Sequence, residues 1–161
     1  MKKYLVIFFV NIVLVLFQNS FLFVFLGGEA NPNLILAFAF SLLLLDKSEE
    51  ALFSAFVGGL LIDLLGFTMP GLSSLVFLLA IYIGLFIKKY LFKSWVLQLI
   101  VLMLSTYLGK QYLGPHPEFG TFRLLSGLLL TAGMVFAFYP LNKYLFTRLF
   151  VSRKFLEIER I

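Results

Sequence analysis

Long apolar runs, each closed by charges or by glycine and proline, leave this chain few ways to fold. The first run, residues 4–26, contains no charged residue. About 20 apolar residues suffice to cross the hydrocarbon core of a bilayer. Five further runs follow, at about 33–45, 51–66, 72–87, 95–108 and 124–141. In lipid the backbone must satisfy its own hydrogen bonds, so only helices or a closed barrel can span. A barrel would show polar residues at alternate positions, and these runs do not. The expected fold is therefore an all-α integral membrane protein. It has about six transmembrane helices in a single multi-pass domain covering residues 1–161.

Composition agrees. Charged residues make up 13% of the chain and hydrophobic residues 61%, with a mean hydropathy of +1.03. A soluble domain carries about 25% charged residues, so a water-exposed surface is excluded. The net charge of +5 does not point to nucleic acid, because the basic residues flank the apolar runs and read as topology signals. With no cysteine there is no disulfide, thiolate metal site or cysteine nucleophile. The start, MKKYLVIFFV, has the look of a signal peptide. The run behind it is long enough to span and lacks a small-x-small cleavage site, so a retained helix is expected.

The breaks between runs are GGEANP, DKSEE, GFTMPG, KKYLFKS and KQYLGPHPEFGTFR. Each interrupts a helix or calls for water. With six crossings and the N-terminus inside, the inner side holds Lys2, Lys3, Lys47, Lys88, Lys89, Lys93, Lys143, Arg148, Arg153, Lys154 and Arg160. The outer side holds only Lys110 and Arg123. That asymmetry places both termini in the cytoplasm. If the short second and third runs were re-entrant, only Lys47 would change sides. The basic tail, residues 142–161, either continues the sixth helix or lies on the inner leaflet against anionic lipid. Trp95 sits at an inner interface.

One stretch combines an acid with backbone freedom inside an apolar run: GGLLIDLLGFTMPG, residues 58–71. On a helix, Ala51, Ala55, Gly59 and Asp63 share a stripe at a spacing of four, with Gly66 close to it. This small-xxx-small groove lets another helix approach closely. Asp63 ends the groove within about one turn, ~5 Å, of the outer end of its helix, away from Phe53, Leu60, Leu64 and Phe67. An ionised acid facing lipid is costly, so it faces protein. Two expectations stand side by side. Asp63 accepts from the free N–H groups of Leu72 and Ser73 and locks the hairpin to the next helix. Alternatively, it meets a ligand or a partner helix.

The second helix opens at NPN. Pro32 suits its first turn and Asn31 is positioned to cap it. Asn33 is less easily explained by capping alone, and it lies on the same outer side as Asp63. Asn11 and Gln18 share a helix face and read as interhelical glue, as do Tyr82 and Gln98. Catalysis finds no constellation. His116 stands alone in PHPE, which excludes the usual zinc sites. No HExxH, GxSxG, P-loop or GxGxxG occurs, and Asp63 is the only carboxylate within a span, so no aspartyl dyad forms. Neither an enzyme nor a cofactor is expected.

Residues 31–87 resemble the core of the MreD family of rod shape-determining membrane proteins. That family shows a Pro-Asn entry to the second helix, then a small residue, Asp-Leu, a nearby glycine and a second glycine about five residues on. An apolar helix bearing a tyrosine follows. Here the matching positions are Pro32, Asn33, Gly59, Asp63, Leu64, Gly66, Gly71 and Tyr82. The resemblance implies a non-enzymatic scaffold of the bacterial cytoplasmic membrane. Its partner would be an MreC-like single-span protein. Through it the scaffold would be linked to an MreB-like filament and to the elongation-specific enzymes of peptidoglycan synthesis. It also implies a fold like the substrate-binding subunit of energy-coupling-factor vitamin transporters. The rival expectation is therefore a small-molecule transporter subunit, although the outer loops offer few ligands beyond Tyr112, His116 and Glu118.

Overall fold

An 11-residue helix in which every residue from Leu34 to Leu43 is buried forms the centre of the protein. A computed structural model describes residues 2–22, 24, 32–66, 69–90 and 121–147, and these residues are all-helical apart from turns. We number the helices α1 (Lys2–Leu16, continued by a π-helical turn Phe17–Leu22), α2 (Leu34–Leu44), α3 (Ser48–Gly66), α4 (Leu72–Tyr90) and α5 (Thr121–Phe146). Among the described residues, three stretches are long and apolar enough to cross a membrane: Lys2–Leu22, Leu72–Lys89 and Ser126–Phe146.

The second run departs from a simple crossing. At 1.5 Å per residue, α2 is about 16 Å long, roughly half the thickness of the hydrocarbon core. Hydropathy alone does not separate a lipid-facing helix from one enclosed by other helices, because both are apolar all round. Phe38, Phe40, Leu42 and Leu43 fill the core together with Ile81 and Val135.

Other boundaries shift outward from those read in the sequence. α3 begins at Ser48 rather than 51, so Glu49 and Glu50 form its acidic first turn, where carboxylates complement the helix dipole. α4 runs to Tyr90 rather than 87. α5 runs from Thr121 to Phe146, through Pro140, instead of 124–141. It thus carries the first residues of the expected tail within the helix. The expected segment at 95–108, with Trp95 and Gln98, and the remainder of the tail lie outside the described residues.

One end of the bundle collects the lysines. Lys3 of α1 bonds Glu50 at 2.9 Å, and Tyr4 donates to Glu49 at 3.1 Å. In the last turn of α4, Lys88 donates to the Leu43 carbonyl at 2.7 Å and pairs with Asp46 at 2.6 Å. It thereby closes the C-terminus of α2, where carbonyls lack helical donors. Asp46 adopts a φ of 62°, a left-handed conformation that Asp tolerates better than most residues. Lys47 sits 5.9 Å from the Phe146 ring near the end of α5. The N-terminus of α1, the α2–α3 turn and the C-termini of α4 and α5 therefore share one end. α1 and α3 run away from it, and α2, α4 and α5 run toward it.

α1 shows how lipid and core faces divide. Ile7, Asn11, Val15, Gln18 and Leu22 point inward, while Leu5, Phe9, Val13 and Leu16 are exposed. In contrast to the close-packed glycines described below, Gly133 in α5 has open space where a Cβ would stand. Gly133→Ala should therefore raise stability by about 0.5–1 kcal/mol, the helix-propensity difference. Thermal unfolding in detergent would check it, and a lower melting temperature would show that the space is needed.

Candidate functional site

Two polar constellations stand away from the lysine-rich end, each built on a helix terminus. The first serves the start of α2, which opens inside the bundle rather than in water. Its free N–H groups need acceptors there. Asn33 is the N-cap, and its Oδ1 accepts from the Leu36 N–H at 3.1 Å. The Leu34 N–H donates to Gln18 Oε1 at 2.9 Å. The Asn33 N–H donates to the Thr131 hydroxyl at 3.1 Å, which in turn donates to the Gly127 carbonyl at 2.7 Å. Asn33, not Asn31, therefore caps α2; Asn31 lies outside the described residues. Pro32, expected in the first turn, stands instead just ahead of the cap, where it is buried and has no N–H to satisfy. Sequence reading did not find Thr131. Its only signal was a hydroxyl in an apolar run, at a position that does not reveal which helix it meets.

The second constellation is the α3–α4 hairpin. Asp63 is 1% exposed. Its Oδ2 accepts from the Gly71 N–H at 2.8 Å and from the Ser73 N–H at 3.0 Å, and its Oδ1 lies 3.3 Å from the same Ser73 nitrogen. The expected donor pair of Leu72 and Ser73 is corrected to Gly71 and Ser73, because the Leu72 N–H turns back to the Met69 carbonyl at 3.2 Å. Gly71 has φ 94°, a conformation that favours glycine. It presents its N–H to Asp63 from the turn. Gly66 ends α3.

The groove is occupied by the chain's own helices. A Cβ on Gly59 would lie 2.3 Å from the Ser74 Cα and 2.5 Å from the Ser74 nitrogen. The N-terminal turn of α4 therefore rests directly on α3 at this glycine, which brings Ser73 within reach of Asp63. Ala51 and Ala55 are fully buried in the core cluster. Gly58, absent from the expected stripe, is as tight. A Cβ there would lie 2.2 Å from Ile35 Cγ2 and 2.9 Å from Asn11 Oδ1. Beside it, Asn11 and Ser54 exchange hydrogen bonds at 3.1 Å in both directions, and Asn11 also donates to the Ile7 carbonyl. Asn11 and Gln18 thus join α1 to α3 and α2. Among the described residues, Tyr82 makes no hydrogen bond to another helix, and Gln98 lies outside them. Tyr82 is 69% exposed, because its position on α4 faces away from the core.

The arrangement supplies hydrogen-bond acceptors to backbone donors and brings no nucleophile and base together among the described residues. Nor do three His, Asp or Glu side chains cluster there as a metal ion would need; His116 lies outside them. No family model, curated protein or solved structure matches the chain.

Proposed function

We propose that this chain is a non-enzymatic membrane scaffold of the MreD kind. In this reading it is a multi-pass protein of the bacterial cytoplasmic membrane, with about six spans and both termini on the lysine-rich, cytoplasmic side. It binds an MreC-like single-span protein. Through that partner it helps organise an MreB-like filament and the enzymes of peptidoglycan synthesis, and so cell shape.

The observation that carries the reading is how the motif residues are used. Asn33 and Asp63 hold helix starts, Gly59 sets a helix–helix approach, and Gly71 serves the hairpin turn. Such a body offers rigid outer faces to other membrane proteins, which suits assembly better than chemistry. Isolation of the tagged chain from native membranes in mild detergent tests it. A single-span protein with a large extracytoplasmic domain should be recovered with the chain. Recovery of the chain alone would count against the scaffold. Thermal stabilisation by a vitamin-like molecule would favour a transporter subunit instead.

A further inference from the structure

Two asparagine–serine pairs lie buried between helices, and they differ by one hydrogen bond. Asn11, Ser54, Ser41 and Asn142 are all 0% exposed. In the α1–α3 pair, Asn11 donates to Ser54 Oγ and to the Ile7 carbonyl, and the Ser54 hydroxyl donates back to Asn11 Oδ1. Each polar side-chain atom there has a partner. In the α2–α5 pair, Asn142 Nδ2 donates to Ser41 Oγ, but the Ser41 hydroxyl donates to the Phe38 carbonyl at 2.7 Å. Asn142 Oδ1 therefore receives no donor among the described residues, and no other buried side-chain atom there is in that position.

Turning the amide over does not remove the shortfall. The nitrogen would then stand in place of Oδ1, with hydrogens that meet no acceptor. A buried polar atom without a partner is costly in either orientation. The flanking contacts bring no donor. Phe38 packs edge-on against Phe138 one turn before the pair, and Lys47 lies over the Phe146 ring one turn beyond it. N–H groups within a helix are turned to their own carbonyls. Asn142 stands four residues, about 6 Å, before Phe146, so the pair lies close to the lysine-rich end, where water is at hand.

We propose that the Ser41–Asn142 pair is a binding site for one buried water molecule. The water donates one hydrogen to Asn142 Oδ1. Its second hydrogen goes to the lone pair that Ser41 Oγ has beyond the one taken by Asn142 Nδ2. Two protein partners fall within the usual range of about two to four for a buried water. A cation suits the pair less well. Neither side chain is charged, and a hard cation takes about six or more oxygens. The water ties α5 to α2 near the point where Lys88 closes the end of α2. Hydration, rather than direct side-chain pairing, completes that joint. The site is independent of the scaffold reading.

Water-to-protein nuclear Overhauser measurements on the full chain in detergent micelles test the proposal, with Asn11 as the internal control. The side-chain amide hydrogens of each asparagine would be assigned through its own backbone. Those of Asn142 should show a cross peak to a long-lived water, and those of Asn11 should show none. Both sites hold a serine hydroxyl, so relay through exchanging hydroxyl hydrogens would give equal peaks at the two. A structure of the same protein at atomic resolution should place solvent density within hydrogen-bond distance of Asn142 Oδ1 and none beside Asn11 Oδ1. In Asn142→Leu that density should be lost. Water peaks at both asparagines or at neither, or a protein donor seated on Asn142 Oδ1, would overturn the proposal.

Discussion

Asp63→Ala should cost the folded chain about 3 kcal/mol or more and lower its yield from membranes sharply. Two backbone donors, Gly71 and Ser73, lose their acceptor at a site that is 1% exposed at Asp63. A hydrogen bond to a charged group contributes roughly 1.5–3 kcal/mol, and each buried donor left without a partner adds a desolvation penalty. Asp63→Asn should be far milder, at about 1 kcal/mol. One oxygen, Oδ2, accepts from both donors, so an amide carbonyl in that place keeps both bonds. Thermal unfolding in detergent and folded yield would separate the three proteins. If alanine and asparagine were equally damaging, the negative charge rather than the acceptor geometry would be what the site requires.

Gly59 gives the second large effect. A Cβ would sit 2.3 Å from a backbone atom of α4, and backbone cannot swing aside as a side chain can. Gly59→Ala should therefore cost about 2–3 kcal/mol, and Gly59→Leu more, by forcing α3 and α4 apart. The same movement draws Ser73 away from Asp63, so Gly59→Ala and Asp63→Ala should be non-additive when combined. Gly58→Ala should be less damaging than Gly59→Ala. Its nearest neighbour is the Cγ2 methyl of Ile35, whose side chain has some freedom to turn. Melting temperatures of the single and double variants would check this order. A Gly59→Ala protein as stable as the parent would contradict the close approach.

The sequence announced helices and their approximate places because long apolar runs in lipid leave the backbone no other internal pairing. It also placed Asp63 on the packing face, since Ala51, Ala55 and Gly59 repeat at the helical period and mark where another helix comes close. Three things were not legible. The shortness of α2 was plain from the run at 33–45, but its enclosure was hidden because its residues are as apolar as a lipid-facing span, and enclosure depends on helices distant in sequence. Asn33 as the cap was missed because Asn31, Pro32 and Asn33 are all plausible at a helix start. Only the local φ and ψ decide which side chain meets a free N–H. The outward placement of Tyr82 was missed because a polar group in an apolar run ordinarily faces the bundle, and here it does not.

The two polar constellations share one logic. Each supplies, from a side chain, the acceptor that water would otherwise give to a helix start. Gln18, Asn33 and Thr131 serve α2, and Asp63 serves α4. The central claim is that Asp63 holds its own hairpin. Amide hydrogen exchange at Gly71 and Ser73, compared between the parent and Asp63→Ala, tests it most directly. Exchange should be slow at both amides in the parent and rise markedly at both in the variant. Fast exchange in the parent, or unchanged protection after the carboxylate is removed, would contradict it.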